Sequence, residues 1–413
     1  MSIEKINQAK AEIASTSAYK TITEFFDADS FTEIDAFAKS GEGFAEVVAG
    51  FGTVEGMPVY AFAQNSDICG GAMSKAQAAK LKKVYDLALK TGAPVVGFYD
   101  SVGGRLMQGN ELLAGCGQVL NSAAAVSGAV PQISVVLGTC LGTNALHAAS
   151  AEYNAEHGIA SVVAKDSAEA VAKAKELVLY LPSNNLNTAP ESFEEEPADC
   201  DCIVGSTVDG GSVYKLFDNY GKDAKVRLAR LGGSVVGIVK TNGGVLSCSA
   251  TTKIAKFVRF CDAFSLPILT FVDCKGFESI KSAAKAASAY AEATTVKISV
   301  VYGQAVGSGY IALAGTGANA DMVYALPQAV IYAVNVEAAA FILAADAMNV
   351  PVAEQKAVAE KFAAENLSAF NAAQNGYVDG IVEQQDLRKT LISALDMLAG
   401  KRVPTVAKKH STI

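Results

Sequence analysis

The chain has 413 residues, of which 51% are hydrophobic and 18% charged, and its formal net charge is 34 − 42 = −8. This length favours two domains, and the acidic balance without a basic, aromatic-rich stripe argues against nucleic acid as a partner. The apolar runs are interrupted well before the roughly 20 residues that a membrane-spanning helix needs, so no membrane insertion is expected. The N-terminus lacks the pattern of a secretory signal, so we expect a cytoplasmic location.

The cysteines and histidines give little support to metal or nucleophilic chemistry. Most of the eight cysteines lie in apolar runs, where a reduced thiol behaves as a small hydrophobic group. Only Cys200 and Cys202 are close together, so neither a disulfide framework nor a structural metal site is expected. Because no histidine is identifiable as a base for Cys140, we expect a buried structural thiol there and no catalytic triad.

The elements of the first half can be predicted in chain order. The first 40 residues predict an N-terminal arm of one or two amphipathic helices. A strand hairpin, a helix that starts after the N-cap candidate Ser74 and a buried strand ending at Asp100 follow. A second helix then leads to a strand at 133–140 and to the small-residue turn Gly142-Thr143, after which a helix-compatible segment begins.

The same order of elements returns in the second half. The turn at 142–143 has a counterpart at 307–308, and the strands that lead to the two turns begin 298 − 133 = 165 residues apart. Asp273 corresponds to Asp100 at an offset of 273 − 100 = 173, and both are expected to cap loops at strand ends. A run of matches in one order indicates an internal duplication.

A polar, acidic and proline-containing stretch at 183–199 separates the two copies and is typical of a linker or wrapping loop. We therefore predict an N-terminal helical arm at 1–40 and two homologous domains at 41–200 and 201–413. The order of strands and helices in each copy predicts an α/β architecture.

Each small-residue turn joins a strand to a helix, an arrangement that leaves backbone N–H groups without partners. Pre-oriented amides of this kind stabilise negative charge that develops on a carbonyl oxygen. A small residue after a strand also serves close helix–sheet packing, so one copy alone would carry little weight. The duplication favours an oxyanion hole in each half.

Several segments of the chain resemble a known family. They include Lys90-Thr-Gly-Ala-Pro-Val-Val-Gly, Asp100-Ser-Val-Gly-Gly-Arg, Gly128-Ala-Val-Pro-Gln-Ile-Ser-Val-Val, Lys256-Phe-Val-Arg-Phe-Cys-Asp-Ala-Phe and Gly376-Tyr-Val-Asp-Gly-Ile-Val. With them the chain resembles the carboxyltransferase subunits of biotin-dependent acyl-CoA carboxylases and decarboxylases, the group of the propionyl-CoA carboxylase β and the glutaconyl-CoA and methylmalonyl-CoA decarboxylase α subunits.

The resemblance implies two tandem crotonase-like ββα-spiral domains, with an active site where the N-domain of one subunit faces the C-domain of another. It implies that Gly142 and Thr143 bind the thioester oxygen of an acyl-CoA, and that Gly307 and Ser308 bind the ureido oxygen of biotin. The loops expected to complete these two cradles for the coenzyme A thioester and biotin are Gly70, Gly71 and Ala72 in the first half and Asn242, Gly243 and Gly244 in the second.

The resemblance further implies a partner. The chain has no Ala-Met-Lys-Met site for biotinylation, so biotin would be carried by a separate biotin carrier protein, within a homo- or hetero-oligomer. The expected function is then a carboxyltransferase subunit that moves a carboxyl group between an acyl-CoA and carrier-bound biotin.

The chain departs from the family pattern beside the expected site. The family has Gly-Gly in both turns, whereas residues 143 and 308 carry side chains that narrow the approach. It also has a further strand and a pocket-lining segment between Tyr153 and Asn154, and a longer loop after Phe277. Two alternatives therefore stay open: a non-catalytic scaffolding homologue that assembles with a full-length carboxyltransferase, and a biotin-independent crotonase-like CoA enzyme.

Overall fold

The structure, a computed structural model, describes residues 3–41, 43–142, 144–147, 156–334, 338, 351, 354–358, 361 and 367–403. The chain divides into two compact units, Met1–Pro190 and Glu191–Ile413.

The first unit consists of a helical arm followed by a mixed sheet with its helices. Its elements are α1 Ile3–Ala14, α2 Ser17–Phe25, β1 Thr32–Glu33, β2 Lys39–Ser40, β3 Gly43–Phe44, β4 Val47–Val54, β5 Met57–Gln64, α3 Lys75–Thr91, β6 Val95–Ser101, α4 Asn110–Val126, β7 Gln132–Cys140, α5 Asn144–His147 and α6 Ser167–Val178. The five-stranded sheet has the order β1-β4-β5-β6-β7. The hairpin β4–β5 is antiparallel, whereas β5, β6 and β7 run parallel to one another.

The second unit repeats this plan and extends it. Its elements are β8 Tyr214–Leu216, β9 Ala224–Leu231, β10 Ser234–Thr241, β11 Val245–Leu246, α7 Cys248–Ala263, β12 Ile268–Cys274, β13 Gly276–Phe277, α8 Ile280–Glu292, β14 Lys297–Val306, α9 Ser308–Leu313, β15 Met322–Ala325, β16 Val330–Tyr332, α10 Ala369–Gln374, β17 Gly380–Ile381 and α11 Gln384–Leu398. The main sheet has the order β17-β15-β14-β12-β10-β9-β8, and β16 also pairs with β14.

Strand register and helix caps confirm the internal duplication. Val47 lies opposite Gln64 in the first hairpin and Ala224 lies opposite Thr241 in the second, so the hairpins correspond at an offset of 224 − 47 = 177. The predicted N-cap Ser74 accepts a hydrogen bond from a backbone N–H of α3, and a serine caps α7 in the same way. These caps satisfy N–H groups that the first turn of a helix leaves without partners.

The two units differ in length after the small-residue turn. The interval from Asn144 to the N-cap Asp166 of α6 is 166 − 144 = 22 residues, whereas the corresponding interval from Gly309 to the N-cap Glu383 of α11 is 383 − 309 = 74. In the longer interval the second unit adds β15 and β16, which both pair with β14, and β17, which pairs with β15. In the described part of the first unit β7 is an edge strand, so the shortening falls where the family pattern predicts a further strand.

Candidate functional site

A β-bulge lies near the carboxyl end of β7, where its pairing with β6 shifts register: Tyr99 lies opposite Val136, and Ser101 lies opposite Cys140. Asp100 of β6 faces this bulge, and its Oδ1 accepts a hydrogen bond from the Thr139 N–H at 3.0 Å. A Cβ atom on Gly138 would overlap the Asp100 carboxylate. Bulges of this kind re-aim a side chain at a strand end, and here the bulge fixes the end of β7 just before the predicted turn.

The second unit builds the same bulge. The register of β12 against β14 shifts between Val272 and Cys274. Asp273 Oδ1 accepts a hydrogen bond from the Gln304 N–H at 3.0 Å, and a Cβ atom on Gly303 would overlap the Asp273 carboxylate. Each aspartate therefore holds a backbone N–H, as a structural role predicts, but this N–H belongs to the bulge of the neighbouring strand and not to a loop.

Replacing Gly303 by alanine is expected to destabilise the protein by about 1–3 kcal/mol, because the new methyl group must displace Asp273 or its strand. Gly138→Ala should act alike in the first unit. Gly117→Ala is the matched control, since nothing lies within 4 Å of a Cβ atom there and alanine favours the α4 helix by roughly 0.5–1 kcal/mol. Denaturant unfolding, followed by circular dichroism, measures the unfolding free energy of all three variants. Equal unfolding free energies for Gly303→Ala and Gly117→Ala would contradict the role of the bulge.

The first predicted cradle loop is a tight turn with left-handed backbone. Gly70 and Gly71 have φ values of +61° and +67°, and a Cβ atom on Gly71 would overlap the Asp100 carbonyl oxygen. The Gly71 N–H donates to Ile68 O at 2.9 Å, and the Ala72 N–H donates within the same turn. Of the three predicted residues, therefore, only Gly70 has an N–H without an acceptor among the described residues.

In the second predicted cradle loop, the N–H group left without an acceptor is the one equivalent to that of Gly70. The Asn242 N–H donates to Asp223 O at 3.1 Å and the Gly243 N–H to Asp273 O at 2.9 Å. The Gly244 N–H has no acceptor in the described part of the chain. Gly244 O accepts the Lys275 N–H just after β12, as Gly70 O accepts the Val102 N–H just after β6. Gly70 and Gly244 therefore occupy equivalent places.

The turn after β7 adjoins the Gly70 loop. The Leu141 N–H donates to Ser101 O at 3.1 Å, and the Val102 N–H donates to Gly70 O at 3.0 Å, so both segments are bonded to adjacent residues of one strand end. Gly142 has φ +64°, and its N–H has no acceptor among the residues that the structure describes. Thr143, the other predicted residue of this turn, lies outside the described residues.

The turn after β14 uses one of its two predicted amides internally. The Gly307 N–H donates to Tyr332 O at 2.8 Å, so it is not available to a ligand in this conformation. Ser308 is the first residue of α9, and neither it nor Gly309 donates its N–H to an acceptor in the described ranges. The amides left at the second cradle are therefore those of Gly244 and Ser308.

A buried side-chain network, which the sequence did not predict, supports the first turn. Asn144 is 1% exposed; its Nδ2 donates to Ser101 Oγ at 2.9 Å and its Oδ1 accepts from Gln64 Nε2 at 3.1 Å. Gln64 Oε1 in turn accepts the Asp100 N–H at 3.2 Å. The network connects the turn to the bulge, and its only sequence signal is a polar residue at the end of an apolar run.

A second unpredicted contact joins the loop after β6 to helix α3. Glu46, with 0% of its surface exposed, lies 2.6 Å from Arg105 Nη1. Its carboxylate also accepts hydrogen bonds from the hydroxyl groups of Ser40 and Ser74. Because Ser74 is the N-cap of α3, this carboxylate holds the start of that helix against the 101–105 loop.

Cys140 is expected to react slowly with alkylating reagents. It is buried, and burial raises the pKa of its thiol to about 11, so about one molecule in a thousand carries the thiolate at pH 8. Cys202 is exposed, and hydrogen bonds from the Gly205 and Val204 N–H groups lower the pKa of its thiol. Peptide mapping after brief iodoacetamide treatment at pH 8 should find Cys202 modified first; preferential labelling of Cys140 would contradict its structural role.

Metal sites and membrane spans are absent from the described ranges. No group of three or more His, Cys, Asp or Glu side chains there could hold a metal ion. No helix described by the structure combines the length and the apolar character needed to cross a membrane.

Comparison with known proteins decides the family. A sequence profile described as a carboxyl transferase domain matches residues 14–154 and 144–413. The chain belongs to the carboxyl transferase family. The two matches meet at 144–154, where the family pattern predicts the missing segment.

Relatives of the carboxyl transferase family match almost the whole chain. The methylmalonyl-CoA decarboxylase subunit alpha of Veillonella parvula is 32% identical over 478 aligned positions, which cover 96% of this chain and 92% of that protein. The mitochondrial propionyl-CoA carboxylase beta chain of Homo sapiens is 30% identical, with coverages of 96% and 88%. Since the chain has 413 residues, at least 478 − 413 = 65 positions of the first alignment are gaps in it.

A solved structure of the family confirms the predicted fold. The crystal structure of transcarboxylase 12S, described as a hexamer with hydrolysed methylmalonyl-coenzyme A bound, matches with a TM-score of 0.91 and 28% identity. The match covers 99% of this chain and 98% of that one. The crotonase-like α/β class expected from the sequence is therefore confirmed.

Proposed function

We propose that this chain is the carboxyltransferase subunit that moves a carboxyl group between an acyl-CoA and biotin held by a separate carrier protein. The observation that carries the proposal is the pair of equivalent amide cradles, one in each half of the chain, each beside a β-bulge whose backbone N–H is held by an aspartate of the neighbouring strand. Relatives named for methylmalonyl-CoA and propionyl-CoA support acyl-CoA thioesters as the substrate class.

The chemistry of carboxyl transfer suits two amide cradles. Removing or adding a carboxyl group on the carbon next to a thioester develops negative charge on the thioester oxygen. We assign Gly70 and the 142–143 turn to that oxygen, because preoriented N–H groups stabilise developing charge without a protein nucleophile. The same argument assigns Gly244 and Ser308 to the ureido oxygen of biotin.

The residues present fit both groups. Glycine at position 71 keeps the first loop in close contact with the end of β6. No acceptor among the described residues takes the backbone N–H of Gly70, Gly142, Gly244 or Ser308. Biotin, when delivered by its carrier, supplies the nitrogen that accepts or gives the carboxyl group. In this proposal the two cradles that meet belong to different copies of the chain, in keeping with the hexamer described for transcarboxylase 12S.

Titration calorimetry with methylmalonyl-CoA and propionyl-CoA tests the substrate class directly. We expect saturable binding of an acyl-CoA and, with a biotinylated carrier domain added, transfer of labelled carboxyl groups. Binding without transfer would favour the scaffolding alternative, and release of free thiol without biotin would favour a biotin-independent CoA enzyme. Absence of both binding and transfer would overturn the proposal.

A further inference from the structure

Four cations share one face of the second unit's sheet. Lys215 on β8 lies directly opposite Arg227 on β9, and Lys225 on β9 lies directly opposite Lys240 on β10. Directly opposed residues of antiparallel strands project to the same face, as do residues two apart along one strand. We call these four residues the cationic face.

The same positions of the first unit are apolar and covered. At the hairpin offset of 177, Lys225 corresponds to Val48, Arg227 to Gly50 and Lys240 to Ala63. Val48 and Ala63 belong to a buried hydrophobic cluster under the helical arm. A Cβ atom on Gly50 would lie 2.7 Å from the Phe31 ring. The fold therefore does not require positive charge here.

The cationic face has no counter-ion among the described residues. None of its four side chains lies within 4.0 Å of a carboxylate in those ranges. Arg227 Nε is buried and makes no hydrogen bond. Like charges placed directly opposite destabilise a sheet, and a buried donor without an acceptor costs further free energy. Two like-charged pairs and an unsatisfied Arg227 Nε favour a compensating anion at this face.

The groups around the cationic face do not supply one. Lys240 Nζ lies 5.2 Å from the centre of the Tyr302 ring. The Asp273 carboxylate acts on Lys240 only at longer range and makes no ion pair with it within 4.0 Å. The Cys202 thiol is close enough for Lys240 and Arg227 to help lower its pKa. Cys202 therefore reports on the charge of this face.

We propose that the cationic face binds a small anion with two or more phosphate groups, such as a nucleotide or a phosphate ester. Neighbouring strands are about 4.8 Å apart and residues on one face about 7 Å apart, so the four cations span an area suited to a compact polyphosphate. The guanidinium fork of Arg227 matches phosphate oxygens, and the lysines add charge. An extended acidic peptide would need a longer row of cations.

Calorimetry with inorganic pyrophosphate tests the site without requiring turnover. The first unit suggests which substitutions to make. Lys225→Val, Arg227→Gly and Lys240→Ala each introduce the residue type found at the equivalent position of the first unit. Each is expected to weaken pyrophosphate binding roughly tenfold or more. In low salt without ligand, Lys225→Val and Lys240→Ala are also expected to raise the melting temperature, because their like-charge contact disappears. Arg227→Gly is judged by binding alone, because glycine inside a strand lowers stability. Lys281→Ala, an exposed lysine of α8, is the control and should change neither.

Alkylation of Cys202 gives an independent readout. Bound pyrophosphate should slow the reaction of Cys202 with iodoacetamide in the wild type, but not in the triple variant. If ATP displaces pyrophosphate and CoA does not, the natural ligand is a free nucleotide. If CoA displaces pyrophosphate, the face binds the phosphate groups of CoA. The proposal is overturned if pyrophosphate does not bind, or binds the triple variant equally well; binding of poly-glutamate instead would indicate an acidic protein partner.

Discussion

Replacing Ser308 by proline is expected to lower the rate of carboxyl transfer to biotin by roughly 10²–10³. Proline has no N–H, so the variant deletes the amide that we assign to the ureido oxygen. Ser308 is the first residue of α9, where proline is tolerated, and the preceding Gly307 has no side chain to clash with the ring. Binding of an acyl-CoA, assigned to the first unit, should remain unchanged by calorimetry.

Ser167→Pro is the matched control for this experiment. Ser167 is exposed and is the first residue of α6, and its N-cap Asp166 has an extended backbone that suits a following proline. The control should retain transfer activity and the circular dichroism spectrum of the wild type. Full activity in Ser308→Pro, or an equal loss in Ser167→Pro, would contradict the role of the Ser308 amide.

Arg105→Ala is expected to give the largest loss of stability, about 3–5 kcal/mol, because it leaves the fully buried Glu46 carboxylate without its cation. The hydroxyl groups of Ser40 and Ser74 stay in place, which puts the loss toward the lower end of that range. Denaturant unfolding curves, recorded with the far-ultraviolet circular dichroism signal, give the change in unfolding free energy.

Two further variants separate the buried pair from an ordinary ion pair. Lys75→Ala breaks the contact with Glu111, in which both side chains are more than half exposed, and should cost at most about 0.5 kcal/mol. Glu46→Gln combined with Arg105→Met should recover part of the Arg105→Ala loss, because no uncompensated charge stays buried. If Arg105→Ala and Lys75→Ala had equal effects, Glu46 would not depend on Arg105.

Local patterns in the sequence predicted much of the fold. The Ser74 N-cap, the hairpins and the structural aspartates Asp100 and Asp273 depend on residues close together in the chain or repeated at a fixed offset, and the structure bears them out. Gly70 and Gly244 were predicted as parts of wider loops, and hydrogen bonding within each loop then singled them out.

Contacts between distant segments could not be predicted in this way. The Gly307 N–H donates to Tyr332 O of β16, and no local sequence pattern predicts this hydrogen bond. The ion pair of Glu46 and Arg105 joins residues 105 − 46 = 59 positions apart. Local patterns in a single sequence do not predict such a distant contact. The positions of these partners are set by how the strands pair, which hydrophobic pattern alone does not specify.

The most direct test of the account follows the carboxyl group itself. Methylmalonyl-CoA labelled in its carboxyl group is incubated with the purified chain and a biotinylated carrier domain, and label on the carrier is counted over time. We predict transfer that requires the chain, saturates with methylmalonyl-CoA and falls by roughly 10²–10³ in Ser308→Pro. No labelled carrier from a chain that binds acyl-CoA and retains its fold would contradict the claim that the two amide cradles serve carboxyl transfer.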